Sequence, residues 1–288
     1  MSLAEGQCPH QLCFQMLSHR IDIRFQDPAL ISWLDYLSVS ADQPFQTAGT
    51  LKYRVLGQQP WAIYEEGDLL EYAHSDEDVL YLIYRRVYQR IAEPFIRAGW
   101  VMLHAGLVSV NGQRMILMGD KGAGKTTLVN RLMLAGHTIE GDESILARDR
   151  FVTAVPRQLH LKPGSYALLP ELADMIQSLP YCHGEGGVVR ALDPKKAGFK
   201  WQIQQGPVQA ILWLSANHNG QTELRRIGSM ETLKFLMDSQ FDMGESRQQA
   251  MDTLPALSTR GGFELKVGCP QSCQRLLEDL SKSLERGA

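Results

Sequence analysis

One stretch of nine residues constrains the fold of this chain more than any other, because it joins a β-prone segment to a helical one. It reads Gly119-Asp120-Lys121-Gly122-Ala123-Gly124-Lys125-Thr126-Thr127. Glycines in such a stretch let successive backbone N–H groups turn onto phosphate oxygens, where a side chain would block the approach. Lys125 would lie near the β- and γ-phosphates, and the Thr126 hydroxyl could ligate Mg²⁺. We therefore predict that residues 119–127 form a loop that binds ATP or GTP together with Mg²⁺.

The segments around this loop predict alternating strands and helices. Asn111-Gly112 is a strong signal for a two-residue hairpin turn between the β-prone residues 101–110 and the apolar residues 114–118. A helix should follow the loop and end at Gly136. Further strands are predicted at 137–146, 151–161, 208–215, 222–227 and 263–267, helices at 170–179, 229–241, 246–257 and from 270 towards 284, and a loop at 183–200. This interleaving predicts an α/β fold.

The first hundred residues are predicted to form a smaller α+β region. Alternating apolar and polar residues predict short strands, at 20–25, 51–56 and 61–65. Ser75 and Asp78 form a capping box before a predicted helix at 79–98, which Pro94 should kink or end. We therefore divide the chain into a small N-terminal region, residues 1–98, and a P-loop domain, residues 99–288.

Two adjacent carboxylates, Asp142 and Glu143, follow the helix that comes after the loop. Phosphoryl transfer needs one carboxylate to hold Mg²⁺ and another to accept the proton of the incoming hydroxyl. Neighbouring carboxylates at a strand end beside the loop could divide these roles. The alternative for any Asp-Glu pair is a solvated acidic turn.

His104 is a third candidate, on the strand that precedes the hairpin. An isolated histidine on an apolar strand is usually a core residue. Antiparallel pairing of its strand with residues 114–118 would nevertheless bring it near the phosphate side of the sheet.

Together these features resemble the catalytic domain of the HPr serine kinase/phosphorylase family. The resemblance covers residues 103–146 and is carried by Leu103-His104-Ala105-Gly106, the Asn-Gly hairpin, the glycine loop and Gly136-His137-x3-Gly141-Asp142-Glu143. It implies a P-loop fold with a mixed sheet, similar to that of phosphoenolpyruvate carboxykinase. It also implies that Asp142 is the general base and that His104 lies against it. The residues around Mg²⁺ would be Thr126, Asp142 and Glu143.

The chain departs from the family's pattern in two places. Thr126 stands where the family usually has serine, which keeps the hydroxyl. The family's second signature, Glu-x-Arg-Gly-x-Gly, has no counterpart in matching order; the nearest segment is 184–190. The chain therefore looks more like divergent HPr-kinase-related proteins, some of which accompany peptide natural-product clusters and phosphorylate a serine on a precursor peptide.

Basic residues beyond the loop are further candidates for contact with phosphate or acceptor. They are Arg157, Lys162, Arg190, Lys195 and Lys196. The first two follow the acidic pair closely, and the others belong to a positive run. Such runs usually form a solvated face, and the functional alternative is an acidic or phosphorylated ligand.

The charge balance and the hydropathy of the chain restrict its partners. In 288 residues, 29 Lys and Arg against 32 Asp and Glu give a formal charge of −3, which argues against a nucleic-acid partner. The longest apolar run near the middle is far shorter than the roughly 20 residues of a membrane span. The N-terminus has no basic segment followed by an apolar one, so we expect no export signal, and the five cysteines should be reduced thiols in the cytoplasm.

We expect a cytoplasmic, Mg-ATP-dependent kinase that transfers the γ-phosphate to a serine-type hydroxyl of a protein or peptide. Lys125, Asp142 and His104 would be its catalytic groups. Two alternatives stay open: a non-catalytic nucleotide-binding module that regulates a partner, and a kinase of a small hydroxylated molecule. The sequence leaves open the choice between ATP and GTP, and the resemblance suggests a homo-oligomer.

Overall fold

The computed structural model describes residues 8–184, 187–218, 220–241, 246–259 and 261–286. The strands are β1 (His10–Met16), β2 (His19–Phe25), β3 (Gly49–Leu56), β4 (Trp61–Glu65), β5 (Asp68–Ala73), β6 (Val101–His104), β7 (Gly106–Val110), β8 (Gln113–Gly119), β9 (Thr138–Gly141), β10 (Ser144–Arg148), β11 (Phe151–Ala154), β12 (Leu159–Leu161), β13 (Tyr181–Gly184), β14 (Gly187–Leu192), β15 (Ala210–Ala216), β16 (Glu223–Ile227) and β17 (Gly262–Val267). The helices are α1 (Ile31–Leu34), α2 (Asp76–Arg97), α3 (Lys125–Leu134), α4 (Pro163–Tyr166), α5 (Ala173–Ser178), α6 (Ser229–Asp238), α7 (Ser246–Ser258) and α8 (Pro270–Arg286).

A six-stranded mixed sheet lies at the centre of the second part of the chain, in the order β16-β17-β15-β8-β7-β9. Strand β15 runs parallel to both β8 and β17, whereas β7 is antiparallel to β8 and to β9. The C-terminal ends of β8, β9, β15 and β17 therefore lie at one edge of the sheet. This is the edge where ligands bind in open α/β sheets. The expectation of an α/β fold with a mixed sheet is confirmed.

The predicted hairpin forms as the Asn-Gly signal requires. Asn111 and Gly112 have φ angles of 50° and 82°, and the flanking residues Val110 and Gln113 pair across the turn. Both central residues of this turn need a positive φ, which asparagine and glycine tolerate best. The hairpin fixes the register of β8, the strand that leads into the glycine loop.

A separate five-stranded sheet, β1-β2-β3-β4-β5, forms in the first part of the chain. It contains the three predicted strands together with β1 and β5, which the sequence pattern did not reveal. Helix α2 begins after Ser75, whose hydroxyl oxygen accepts a 3.0 Å hydrogen bond from the Asp78 N–H. Pro94 lies inside α2, which ends at Arg97 rather than at the proline.

The hydrophobic core of this first sheet extends into the second part of the chain. Its buried side chains pack with Trp100, Leu146, Val155 and Trp201, among others. The second part has its own apolar clusters around α3 and the central sheet. The division of the chain after residue 98 stays a prediction.

Four predicted segments differ from the structure. Residues 101–110 form two strands, β6 and β7, which belong to different sheets. Residues 137–146 form two strands, because β9 joins the central sheet and β10 pairs with β6 in another one. Residues 151–161 also divide, into β11 and β12, on either side of Pro156, which lacks the N–H that a strand ladder uses. Residues 183–200 do not form a continuous loop, since β14 pairs with β12 and β13.

Within the described part of the chain, none of the helices combines the length and the apolar character that are needed to cross a lipid bilayer.

Candidate functional site

The glycine loop begins at the end of β8 with a residue that has no room for a side chain. Gly119 has a φ of 152°, and a Cβ there would lie 2.5 Å from the carbonyl oxygen of Leu214 on β15. Gly122 and Gly124 have φ angles of 88° and 96°, in the left-handed region that glycine adopts at low cost. The loop then enters α3 at Lys125.

The residues of the loop differ in exposure. Asp120, Lys121 and Gly122 are exposed, whereas Ala123 and Thr127 are buried. The loop is closed by a 3.0 Å hydrogen bond from the Ala123 N–H to the carbonyl of Asp120.

Lys125 is a buried cation that has no hydrogen-bond partner within the described residues. Lys125 is the first residue of α3 and is only 8% exposed. Its Nζ atom is buried and has no hydrogen-bond partner among the described residues. Burial lowers the pKa of Lys125 to about 8, although the nearby carboxylates of Glu143 and Asp142 oppose that shift. A buried, unpaired ammonium group is costly, and an anion in the loop would satisfy it.

The acidic pair lies next to the loop because the chain changes sheets at this point. Asp142 and Glu143 are the two residues between the end of β9 and the start of β10. The Thr126 hydroxyl donates a 3.4 Å hydrogen bond to Oδ2 of Asp142. Asp142 is buried, whereas the side chain of Glu143 is 35% exposed. The structure therefore brings the two predicted motifs into contact.

Arg157 contacts both carboxylates of the pair. Its Nη2 lies 3.1 Å from Oε2 of Glu143 and 3.6 Å from Oδ1 of Asp142. Burial raises the pKa of Asp142, and Arg157 opposes that rise. Burial would also raise the pKa of Glu143, but the guanidinium of Arg157 and the ammonium groups of Lys125 and Lys162 outweigh it, so that the pKa of Glu143 is lowered. The two adjacent carboxyl groups are thus shifted in opposite directions, which is the arrangement that separates a proton acceptor from a permanent anion.

His104 reaches the acidic pair by a different route from the one the sequence suggested. Its strand, β6, does not pair with β8; it pairs with β10, where His104 stands opposite Ser144. The ring Nδ1 lies 3.5 Å from Oε1 of Glu143, rather than against Asp142. Burial and the charge of Lys125 lower the pKa of His104. Both effects favour the neutral imidazole over the imidazolium form.

Two aromatic residues that the sequence analysis did not single out complete the surroundings. Nη1 of Arg157 donates a 3.2 Å hydrogen bond to the hydroxyl of Tyr84, which is on α2. The ring of Phe241 meets that of His104 edge to face, with 5.8 Å between the centroids. Both contacts join residues far apart in the chain, so no local pattern could have indicated them.

The other predicted basic residues lie in different surroundings. Lys162 is exposed. Its positive charge is close enough to Lys125 to lower the pKa of that residue, in the same direction as the burial of Lys125. Arg190 donates a 2.8 Å hydrogen bond to the Leu179 carbonyl. Lys195 and Lys196 form ion pairs with Asp42 and Asp35. The hydrogen bonds and ion pairs described for Arg190, Lys195 and Lys196 therefore do not involve the acidic pair.

The chemistry of the donor set fits Mg²⁺ bound together with a nucleotide. Among the described residues, no group of three or more His, Cys, Asp and Glu side chains could hold a metal ion by itself. Mg²⁺ at phosphate sites is commonly held by one or two carboxylates and by substrate phosphates. Asp142 has one buried carboxylate oxygen, Oδ1, without a hydrogen-bond partner in the described part of the chain, and the Thr126 hydroxyl adjoins its other oxygen.

Comparison with solved structures finds a similarity to the Hpr(Ser) kinase/phosphatase from Coxiella burnetii. The match has a TM-score of 0.33 and 12% sequence identity, and it covers 64% of this chain and 98% of that chain. A match at this TM-score and identity does not show membership of a family. No model of a protein family matches the chain. No curated protein sequence matches it either.

Proposed function

We propose that this protein is a Mg-ATP-dependent kinase that transfers the γ-phosphate to a serine-type hydroxyl of a protein or peptide. The observation that carries the proposal is the contact between the glycine loop and the acidic pair, the 3.4 Å hydrogen bond from Thr126 to Asp142. It sets a carboxylate of raised pKa beside a loop suited to phosphate and beside the unpaired ammonium group of Lys125.

Lys125 and the loop would hold the phosphates. The ammonium group neutralises charge on the β- and γ-phosphates, and the N-terminus of α3 adds its positive dipole end. Mg²⁺ would be held by Thr126 and Asp142 with the nucleotide, and it would supply positive charge where negative charge develops. The Lys125 ammonium group is buried without a hydrogen-bond partner in the described residues. A phosphate oxygen in the loop would supply that partner and an opposite charge.

Asp142 would accept the proton of the acceptor hydroxyl. The hydroxyl oxygen forms a bond to the γ-phosphorus as the bond to the bridging oxygen of ADP breaks, and the released proton goes to the Asp142 carboxylate. Burial raises the pKa of that carboxyl group, and the Arg157 guanidinium opposes the rise. Glu143, which has a lowered pKa, remains an anion beside the neutral His104 ring.

The acceptor class follows from the resemblance of residues 103–146 to kinases that phosphorylate serine on a protein or peptide. Purified protein is incubated with Mg-ATP and either candidate precursor peptides or cell extract, and products are followed by mass spectrometry. We expect a phosphorylated serine that is lost in Lys125→Ala. Nucleotide binding without transfer to any acceptor would favour a regulatory module, and ADP release without a labelled polypeptide would favour a small-molecule kinase.

The base assignment is tested with Asp142→Asn, which keeps the size and polarity of the side chain. Transfer should be abolished, while the affinity for ATP measured without Mg²⁺, to which Asp142 contributes no metal ligand, stays close to that of the unmodified protein. Asp279→Asn, at a carboxylate whose side chain is 71% exposed, is the matched control and should keep full activity. Full transfer by Asp142→Asn would rule out Asp142 as the base.

A further inference from the structure

A cavity of 270 Å³ opens directly beside the glycine loop. Gly124 and Thr127 belong both to the loop and to the cavity wall. Val267, at the end of β17, forms another part of the wall, and its Cγ1 is so close that a Cβ on Gly124 would lie 3.2 Å from it. The cavity is therefore continuous with the loop that we propose holds phosphate.

The cavity and the acidic pair lie on opposite sides of β8. In the sheet order, β15 and β17 are on one side of β8, and β7 and β9 are on the other. His218 follows β15, and Val267 ends β17; Asp142 follows β9. A triphosphate held by the loop with its γ-phosphate at Asp142 would thus extend its other end, which carries the nucleoside, towards the cavity.

The lining of the cavity suits a flat aromatic base. Leu128, Leu168, Val267 and Cys273 provide apolar surface. The His218 ring also lines it and is fixed to the loop, since its Nε2 lies 3.1 Å from the Gly122 carbonyl oxygen. Small-molecule sites are typically concave and mostly apolar with a few polar groups, which is the composition found here.

The wall that carries Leu168 is held in place from α3. Arg131, on α3, is buried, and it donates one hydrogen bond to the Leu168 carbonyl and another to Glu171. These two hydrogen bonds fix the Leu168 segment relative to α3, and a wall that is held in place loses less conformational freedom when a ligand binds.

We infer that this cavity is the subsite for the base of the nucleotide, with Leu168, Val267 and His218 as its contacts. The inference rests on the proposed function, because the phosphates must first bind in the loop. A purine base would pack against the apolar side chains, and the gain in affinity over the bare phosphate chain would come from that burial.

The experiment compares ATP with inorganic triphosphate, both with Mg²⁺, by calorimetry. The unmodified protein should bind ATP at least about tenfold more tightly than triphosphate. Leu168→Trp should fill the mouth of the cavity and remove most of that difference while leaving triphosphate affinity unchanged. Ile31→Trp is the matched control, since Ile31 is 43% exposed and Leu168 is 44% exposed, and it should behave as the unmodified protein.

The possible results separate the two proposals. Equal affinity of the unmodified protein for ATP and triphosphate would overturn the base subsite and leave the phosphate loop standing. The same holds if Leu168→Trp retains the full preference for ATP or weakens both ligands alike. Failure of both ligands to bind would overturn the proposed function, and the base subsite with it.

Discussion

Nη2 of Arg157 donates a 3.1 Å hydrogen bond to Oε2 of Glu143. Removing this guanidinium should change the pH dependence of the proposed reaction, because Arg157 lowers the pKa of both Glu143 and Asp142. A base works only when deprotonated, so activity rises as the pH passes upward through its pKa. In Arg157→Met that pKa is raised further, and the acidic limb of the kcat/KM profile should move to higher pH.

The check is a kcat/KM profile over roughly pH 5 to 9 for the unmodified protein and two variants. Arg157→Lys keeps a positive charge and should show a smaller displacement than Arg157→Met. An acidic limb at the same pH in all three proteins would contradict the role given to Arg157.

Lys125 should make nucleotide affinity depend on pH in the alkaline range. Burial lowers its pKa to about 8 in the free protein, and bound phosphate would raise that pKa by stabilising the ammonium form. Binding therefore takes up a proton above pH 8, and affinity for triphosphate should fall as the pH rises from about 7.5 to 9.5.

Lys125→Arg is the control for this titration, since an arginine stays charged throughout the range. The affinity of this variant for triphosphate should not change with pH over the same range, even if it differs from that of the unmodified protein. Constant affinity of the unmodified protein up to about pH 9.5 would contradict the lowered pKa.

The local parts of the site could be predicted from the sequence because each is specified within a few residues. The hairpin depends on Asn111 and Gly112 alone, and the loop depends on glycines whose positive φ angles need no distant partner. The acidic pair was found because it follows the loop by one helix and one strand. These features are short-range, so a single sequence contains them.

The rest depends on contacts between distant segments. Tyr84 and Arg157 are 73 positions apart, and nothing near Tyr84 marks it as different from the other residues of α2. The strand at 137–146 was predicted as continuous because apolar residues lie on both sides of Asp142. Its division at the acidic pair follows from the pairing of β10 with β6, which periodicity along the chain does not show.

A buried ion pair between Arg114 and Glu140 should contribute strongly to stability. Nε and Nη2 of Arg114 donate hydrogen bonds of 2.7 and 2.9 Å to the two carboxylate oxygens, and both side chains are almost wholly buried. Arg114→Met leaves Glu140 buried and unpaired, and it should lower the free energy of unfolding by about 3–5 kcal/mol at neutral pH. Urea denaturation measures this loss.

The pH dependence of that loss gives a sharper check. Burial raises the pKa of Glu140 even with Arg114 present, and without the guanidinium the pKa rises further. When folding raises the pKa of a carboxyl group, the free energy of unfolding decreases as the pH rises and recovers as the pH falls. The difference in unfolding free energy between Arg114→Met and the unmodified protein should therefore narrow from about pH 8 to pH 6. A difference that stays constant with pH would show that repacking, not the unpaired charge, causes the loss.

Gly119→Ala should damage both the sheet and the phosphate loop. The new Cβ would lie 2.5 Å from the Leu214 carbonyl oxygen, and Gly119 also has a φ of 152°. Since backbone cannot move aside as a flexible side chain can, β8 and β15 must separate where the loop begins. Gly136→Ala is the matched control. Gly136 has a φ of 86° but no atom within 4 Å of the new Cβ, so the substitution carries only the cost of placing an L-residue in the left-handed region, about 1–2 kcal/mol. We expect a larger loss of unfolding free energy for Gly119→Ala, and a loss of triphosphate affinity that Gly136→Ala does not show; equal effects on both measurements would contradict the close approach of β8 to β15.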